Sequence, residues 1–312
     1  MNSTYFLKPI ILLCLALSLS NCKKAVEETS EIVDIADNTE TKTIKQAQPL
    51  SKEFKDYWYT GEAEITSFKL EQARYGEIRN GKAVLVYVTE DFLPDEQVKA
   101  DTYKESNIPV LKLNATKNFN TGIYPYSIMQ STFFPVANNQ HAIKVSASIQ
   151  EWCGQVYTQL NNRSQFEIDS HSYFQGEADQ TITLEKTFTE NELWTKLRVD
   201  PKSLPTGTIK VVPSLEYIRL KHKEIMVYEA NATLKDGQYS LEYPNLNRTL
   251  TIDFNSAFPY DILSWEESFR SGFGANAKTL TTKATRLESI KSAYWAKNSN
   301  ANESLRETLQ LE

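Results

Sequence analysis

Glycine is scarce in this chain, with 10 in 312 residues. Neither Gly-x-Gly-x-x-Gly nor the P-loop pattern occurs, so the common glycine-built phosphate cradles are excluded. Histidine is scarcer still, at three residues, and no His-Glu-x-x-His pair exists, which removes the helical zinc-hydrolase motif. A serine nucleophile elbow, Gly-x-Ser-x-Gly, is also absent. There is no apolar run of the ~20 residues needed to cross a bilayer as a helix. Clustered basic charge is missing too: the net charge is −6, whereas binding nucleic acid relies on Lys and Arg that neutralise phosphates. Cysteine is limited to Cys14, Cys22 and Cys153.

The apolar run that is present is short. Pro9 to Leu19 follows a polar start carrying Lys8, and Cys22 comes at once after it. A core of this length fits a signal peptide. Leu19-Ser20-Asn21-Cys22 resembles the lipobox of bacterial lipoproteins, with Asn21 standing where that family usually has Gly, Ala or Ser. The resemblance implies that residues 1–21 are removed, that Cys22 carries lipid, and that the lipid is the membrane partner, since stable anchoring needs more than one acyl chain. Loss of Lys8 with the signal takes the net charge from −6 to −7. Cys14 leaves with the signal and Cys22 is used by the lipid. Cys153 then stands alone, so no intrachain disulfide forms, and an unpaired thiol is expected to be buried as a small apolar group.

Residues 22–50 read as a flexible tether. From Lys23 to Leu50 there is no aromatic residue and no glycine, too little apolar surface to fold. As a coil it spans ~30 Å on average and ~95 Å at full stretch. Lys23-Lys24-Ala25-Val26-Glu27-Glu28 resembles the tether start that sends lipoproteins to the outer face of the outer membrane; an ordinary solvated linker is the other reading. Lys23 stands where the inner-membrane retention signal has Asp. The expected location is the outer membrane, on its periplasmic or cell-surface face.

Tyrosine and phenylalanine are plentiful, at 16 and 14, which favours strands. The expected fold class is mostly β: antiparallel curved or barrel-like sheet with one prominent helix, in a domain over 51–295 followed by a polar tail, 296–312. His141 to Gln150 alternates Ile143, Val145, Ala147 and Ile149 with polar residues, the mark of a half-buried strand. Asn80-Gly81 and Asp236-Gly237 each predict a tight hairpin turn. Thr208 to Leu220 reads as a strand. Thr189 to Glu192 fits a capping box that opens a helix over about 190–199, closed by Asp200-Pro201. That helix marks a subdivision near 186–206 or packs over the mouth of one sheet.

The candidate sites are few. Trp152-Cys153-Gly154 lacks the second cysteine of a thioredoxin-type turn. His171 with Asp169, Glu177 and Asp179 is the richest local set of metal-ligating groups; a solvated hairpin end is the alternative. Tyr57, Trp58, Tyr59 and Trp265, with Tyr124, Tyr126 and Trp295, could line a groove for sugars or an apolar ligand, or serve as core. No catalytic residue, metal or cofactor is assigned.

Glu53-Phe54-Lys55-Asp56-Tyr57-Trp58-Tyr59, Gly61-Glu62-Ala63-Glu64-Ile65 and Gln150-Glu151-Trp152-Cys153-Gly154-Gln155 resemble a lipoprotein family of Bacteroidetes-type bacteria. Some of its members carry the label "septum formation inhibitor Maf". Maf nucleotide pyrophosphatases have a Ser-x-Ser-Pro-Arg-Arg motif in an α/β domain. That motif is absent here, so no catalytic residue is carried over. The leading expectation is a non-catalytic envelope lipoprotein that binds a ligand or partner or fills a structural role. The alternatives are an envelope or extracellular hydrolase and, through the label, a nucleotide pyrophosphatase. Metabolic labelling with palmitate is expected to mark the wild-type chain and to vanish in Cys22→Ala; equal labelling of both would overturn the anchor.

Overall fold

The strand expected over His141–Gln150 forms over Lys144–Glu151, with Val145, Ala147 and Ile149 buried on one face. The same period of two builds most of the chain. The computed structural model describes residues 50–137 and 140–312. The signal segment, Cys22 and the tether up to Pro49 lie outside the described residues.

Sixteen strands form one sheet among the described residues. The first arm contains β1 (Ala63–Arg74), β2 (Glu77–Leu93), the two-residue β3 (Val98–Lys99), β4 (Ile108–Thr121), β5 (Tyr124–Pro135), β6 (Lys144–Glu151), β7 (Gly154–Asn162), β8 (Phe166–Ser172) and β9 (Gln180–Leu184). The second contains β10 (Phe188–Thr189), β11 (Gly207–Val212), β12 (Tyr228–Lys235), β13 (Gln238–Tyr243), β14 (Arg248–Phe254), β15 (Ile262–Ser271) and β16 (Lys278–Ser292). Each arm is a meander of antiparallel neighbours, except that β10 and β11 pair in parallel. The first and last strands, β1 and β16, pair antiparallel and join the arms. The outer strands of the sheet are β9 and β10. They are consecutive along the chain, separated only by residues 185–187, yet no ladder joins them. The sheet is therefore curved and unclosed, with its seam where the chain passes from one arm to the other.

Two helices fill the concave side. In α1 (Lys52–Trp58) the Ser51 hydroxyl accepts from the Phe54 amide, but α1 lies before the sheet begins. The interior helices are α2 (Glu190–Val199) and α3 (Leu215–Leu220), nearly every residue of which is buried. α2 packs on β4, β5 and β10, and α3 on β5 and β6. Across the interior, Trp194 of α2 meets Trp265 of β15 edge-on at 5.3 Å, so α2 touches both arms. One large apolar cluster draws on Phe68, Leu85 and Leu113 from the first arm and Leu241, Leu250 and Ile252 from the second. The described chain belongs to one unit, Lys45–Glu312, and α2 lies inside it. Among the described residues no helix is long and apolar enough to cross a membrane.

The turns at 75–76, 122–123, 152–153, 173–179, 244–247 and 272–277 share one end of the sheet, as the registers require. The start of β1 and the end of β16 lie at the other.

Three local expectations change. Asn80-Gly81 is not a turn: β2 runs straight through it, and the chain reverses at Tyr75-Gly76, both with positive φ. Gly81 instead allows close strand approach, because a Cβ there would sit 2.3 Å from the Asn118 carbonyl oxygen and 2.7 Å from Phe119 Cβ. The expected strand from Thr208 to Leu220 ends at Val212. Ser214 then caps α3 by accepting from the Tyr217 amide at 3.1 Å. The polar tail is also packed. It forms α4 (Ser304–Thr308), and Leu309 is buried against Ala63, Ile65 and Val88. Asp236-Gly237 does turn the chain between β12 and β13, with Gly237 at φ 71°.

Gly81→Ala is expected to destabilise the protein by about 1–3 kcal/mol through overpacking. Gly176→Ala, which meets nothing within 4 Å, should stay within about 0.5 kcal/mol of wild type. Urea denaturation midpoints measure both, and equal effects would contradict the close-approach role.

Candidate functional site

The interior is more polar than its strands announce. α2 begins where the Thr189 hydroxyl accepts from the Glu192 amide at 3.2 Å. The Glu192 carboxylate reaches back only to the Thr189 hydroxyl, at 3.4 Å, and not to the backbone amide that a full capping box would engage. It accepts instead from the Ala142 amide and from His141 Nδ1, each at 2.8 Å, and ties the helix to the approach of β6.

Glu190, in the first turn, faces β14. Arg248 donates to both its carboxylate oxygens, and Tyr243 donates to Oε2 at 2.6 Å. The Arg248 Nε donates to Glu267 Oε1 at 2.6 Å. On the opposite wall, Lys117 donates to Glu216 Oε1 at 2.8 Å and Gln130 to Oε2 at 3.0 Å. Asn191 donates to Gln130 at 2.9 Å and accepts from the Leu215 amide at 3.3 Å, so the starts of α2 and α3 are stitched together.

These groups line one cavity with Trp194 and Trp265. The space open to water-sized groups is about 50 Å³, room for three or four waters at ~10–15 Å³ each. Three carboxylates, Glu190, Glu216 and Glu267, face two cations, Lys117 and Arg248. The two carboxylates with shifted proton affinity move in opposite directions. Burial alone would raise Glu190, but the charge and hydrogen bonds of Arg248 and the Tyr243 hydroxyl hold it below the ordinary carboxylate range. Burial raises Glu216, and the negative charge of Glu267 adds to that, against the pull of Lys117. Burial also pushes the Tyr217 phenol up to about 12, despite Arg248.

A second buried pair fixes the other end of α2. Arg198 forks onto Glu64 of β1 at 2.6 and 2.8 Å, and Tyr57 donates to the same carboxylate at 2.5 Å.

The sequence candidates are dispersed. Trp265 lines the cavity, while Tyr57 and Trp58, the last residues of α1, face the Glu64–Arg198 pair and Tyr59 is exposed. Tyr124 and Tyr126 lie near one end of the sheet, and Trp295 is exposed near the other. His171 faces Asp179 at 3.3 Å on the surface, Asp169 accepts from Thr181, and Glu177 turns to His222 and Ser172. Among the described residues, no group of three or more His, Cys, Asp or Glu could hold a metal ion. Ser172 donates to Glu177 and not to His222, the wrong order for an activated serine. Cys153 corrects an expectation. It is exposed because it sits at the tip of the β6–β7 turn, where its amide is held by the Glu151 carboxylate at 2.7 Å and no element covers it.

The cavity's charges carried a readable signal. Arg248 precedes Leu250, Ile252 and Phe254 in the inward phase of β14, and Glu267 stands between Trp265 and Phe269 in that of β15. A charge in the apolar phase of an alternating strand marks a buried polar site.

No protein-family model and no curated protein matches the chain. Among solved structures, a β-barrel-like protein of domain of unknown function DUF1849 from Brucella abortus aligns over 74% of this chain and 97% of its own. The identity is 7% and the TM-score 0.42.

Two substitutions separate the carboxylates. A carboxyl that holds its proton more tightly when folded loses stability as pH rises through its folded value; one that holds it less tightly gains stability above ~4.3 and loses it on acidification. Glu216→Gln is therefore expected to raise the denaturation midpoint at pH 8 relative to wild type, with the gain fading towards pH 4. Glu190→Gln is expected to cost about 3–5 kcal/mol at pH 7, because it removes the charge facing Arg248. The opposite ranking would overturn the assignment.

Proposed function

We propose that the protein is a non-catalytic binding protein of the cell envelope, held through lipid on Cys22 in the outer membrane, and that its ligand enters the cavity between α2 and the sheet. The lipobox-like segment and the tether composition support the location. The observation that carries the binding role is the cavity wall itself. Two indoles, Trp194 and Trp265, stand beside one more carboxylate than cations. Indole faces accept the apolar face of a sugar ring or a cation, and a surplus carboxylate favours ligands that donate hydrogen bonds or carry positive charge. With about 50 Å³ of open space, the cavity admits the hydroxyl- or amine-bearing end of a ligand, the rest of which stays outside it. Each carboxylate already accepts from a cation, an arrangement suited to fixed hydrogen bonding.

One observation favours a hydrolase instead. Glu190 and Glu216 are pushed in opposite directions, the pattern of an acid and a base in one site. The same experiment addresses both. Tryptophan fluorescence of the purified protein is titrated with a panel of small saccharides and amines, and turnover of each is followed. The expected result is a saturable change, weakened about tenfold or more in Trp265→Ala, with no turnover. Turnover that falls ~10²–10⁴-fold in Glu216→Gln would replace the binding reading with the hydrolase. A panel with no saturable response in the wild type would sink it.

A further inference from the structure

We propose that a second pocket, at the end of the sheet carrying the 75–76 and 272–277 turns, binds a phosphate-class oxyanion between Arg74 and Lys221. The pocket is separate from the α2 cavity and has about 190 Å³ of open space. Its wall is the last residue of β1, Arg74, which is 7% exposed. The Arg74 guanidinium donates to three neutral oxygens: the Leu220 carbonyl at 2.6 Å, the Tyr75 hydroxyl at 3.0 Å and the Tyr126 hydroxyl at 2.9 Å. Its Nε is enclosed and has no hydrogen-bond partner among the described residues. Lys221 lines the same pocket and donates to the Arg270 carbonyl at 2.6 Å. Arg219, on the last turn of α3, lies over the Phe174 ring at 4.0 Å.

Among the described residues, no carboxylate comes within 4 Å of the charged nitrogens of Arg74, Arg219 or Lys221. The carboxylates that act on them from farther away are engaged elsewhere: Glu177 with His222 and Ser172, Glu151 with the Cys153 amide, and Glu267 with Arg248. The cations also oppose one another. Burial, and after it the charge of Arg74, lowers the proton affinity of Lys221, and burial lowers that of Arg219 with Arg74 adding to the effect.

A buried charge without a counter-charge is costly, and here the buried Arg74 shares the pocket wall with the half-buried Lys221, with the buried Arg219 close by on α3. Elsewhere the chain pairs its deeply buried arginines, Arg198 and Arg248, with carboxylates. The exception reads as a site whose counter-ion comes from outside. A planar guanidinium beside an ammonium suits the tetrahedral oxygens of a phosphate group. Ser271 lies in the pocket lining, where its Oγ accepts from the Gly76 amide at 3.1 Å and keeps its own proton to donate. The same end of the sheet carries Ile123, Trp152, Tyr173 and Phe273, 68–83% exposed on four different turns. The phosphate could thus belong to a soluble phosphomonoester or to a phospholipid headgroup whose chains meet that rim.

The test uses the purified mature protein in a non-ionic detergent. Thermal shift and calorimetric titration are run with inorganic phosphate, glycerol 3-phosphate and dihexanoyl phosphatidylglycerol, against sodium chloride at matched ionic strength. A saturable upward shift with at least one phosphate ligand and none with chloride is expected. Tighter binding of the monoesters identifies a soluble source, and tighter binding of the lipid identifies a headgroup. Lys221→Gln should weaken the preferred ligand about tenfold, Lys221→Arg should retain most of the affinity, and Arg74→Met should abolish binding. If Arg74→Met does not fold, the Lys221 pair decides. No saturable shift in the wild type, or wild-type affinity in Lys221→Gln, overturns the proposal. Because the α2 cavity is untouched by these variants, a failure here leaves the saccharide and amine titration standing.

Discussion

Two buried ion pairs on one ten-residue helix carry the tertiary structure. At its start Glu190 meets Arg248 of β14, and near its end Arg198 meets Glu64 of β1. The sheet cannot close itself, since its outer strands β9 and β10 form no ladder. α2 follows directly from β10, so the helix enters the interior beside the seam and is gripped by both arms. Buried pairs of this kind add little net stability over apolar packing, because desolvation offsets the attraction. Their effect is geometric. An unpaired charge at any of the four positions would be expensive, so only one placement of the helix satisfies all of them.

That placement makes the interior chemically useful. An apolar helix would have filled the concave side with packing alone. α2 brings Glu190, Asn191 and Trp194 to one wall, and α3 brings Glu216. α3 then serves two places at once. Its first turn presents Glu216 to the cavity, while Leu220 at its end and Lys221 just beyond it line the outer pocket. Acid at the start and base at the end also match the helix dipole. The anionic cavity and the cationic pocket thus lie at opposite ends of one short element.

Much of the fold was legible in residues close together in sequence. The alternation from Ile143 to Ile149, the turn at Asp236-Gly237 and the cap at Thr189 all appear where local patterning puts them. The failures share a cause. Asn80-Gly81 has the composition of a turn, but Gly81 is set by the neighbouring strand at Asn118 and Phe119. Cys153 has the character of a buried thiol, yet its hairpin tip projects beyond the sheet. The tail is polar in composition, but Leu309 finds an apolar surface on β1 and β2. Of the candidate cavity, only Trp265 stood out beforehand. The charged lining was visible only as Arg248 and Glu267 in the apolar phase of their strands.

The sequence alone determined the strand-rich class and the capped helix, because each depends on groups within about a turn or a strand of one another. Tertiary structure decided which charges are buried and what they meet. Glu190 and Arg248 are 58 residues apart, Glu64 and Arg198 are 134 apart, and Arg74 and the Leu220 carbonyl are 146 apart. No local period encodes such pairs. They exist because a curved sheet brings its two arms around the same helix, and a charge taken out of water must find its partner there or wait for one to bind.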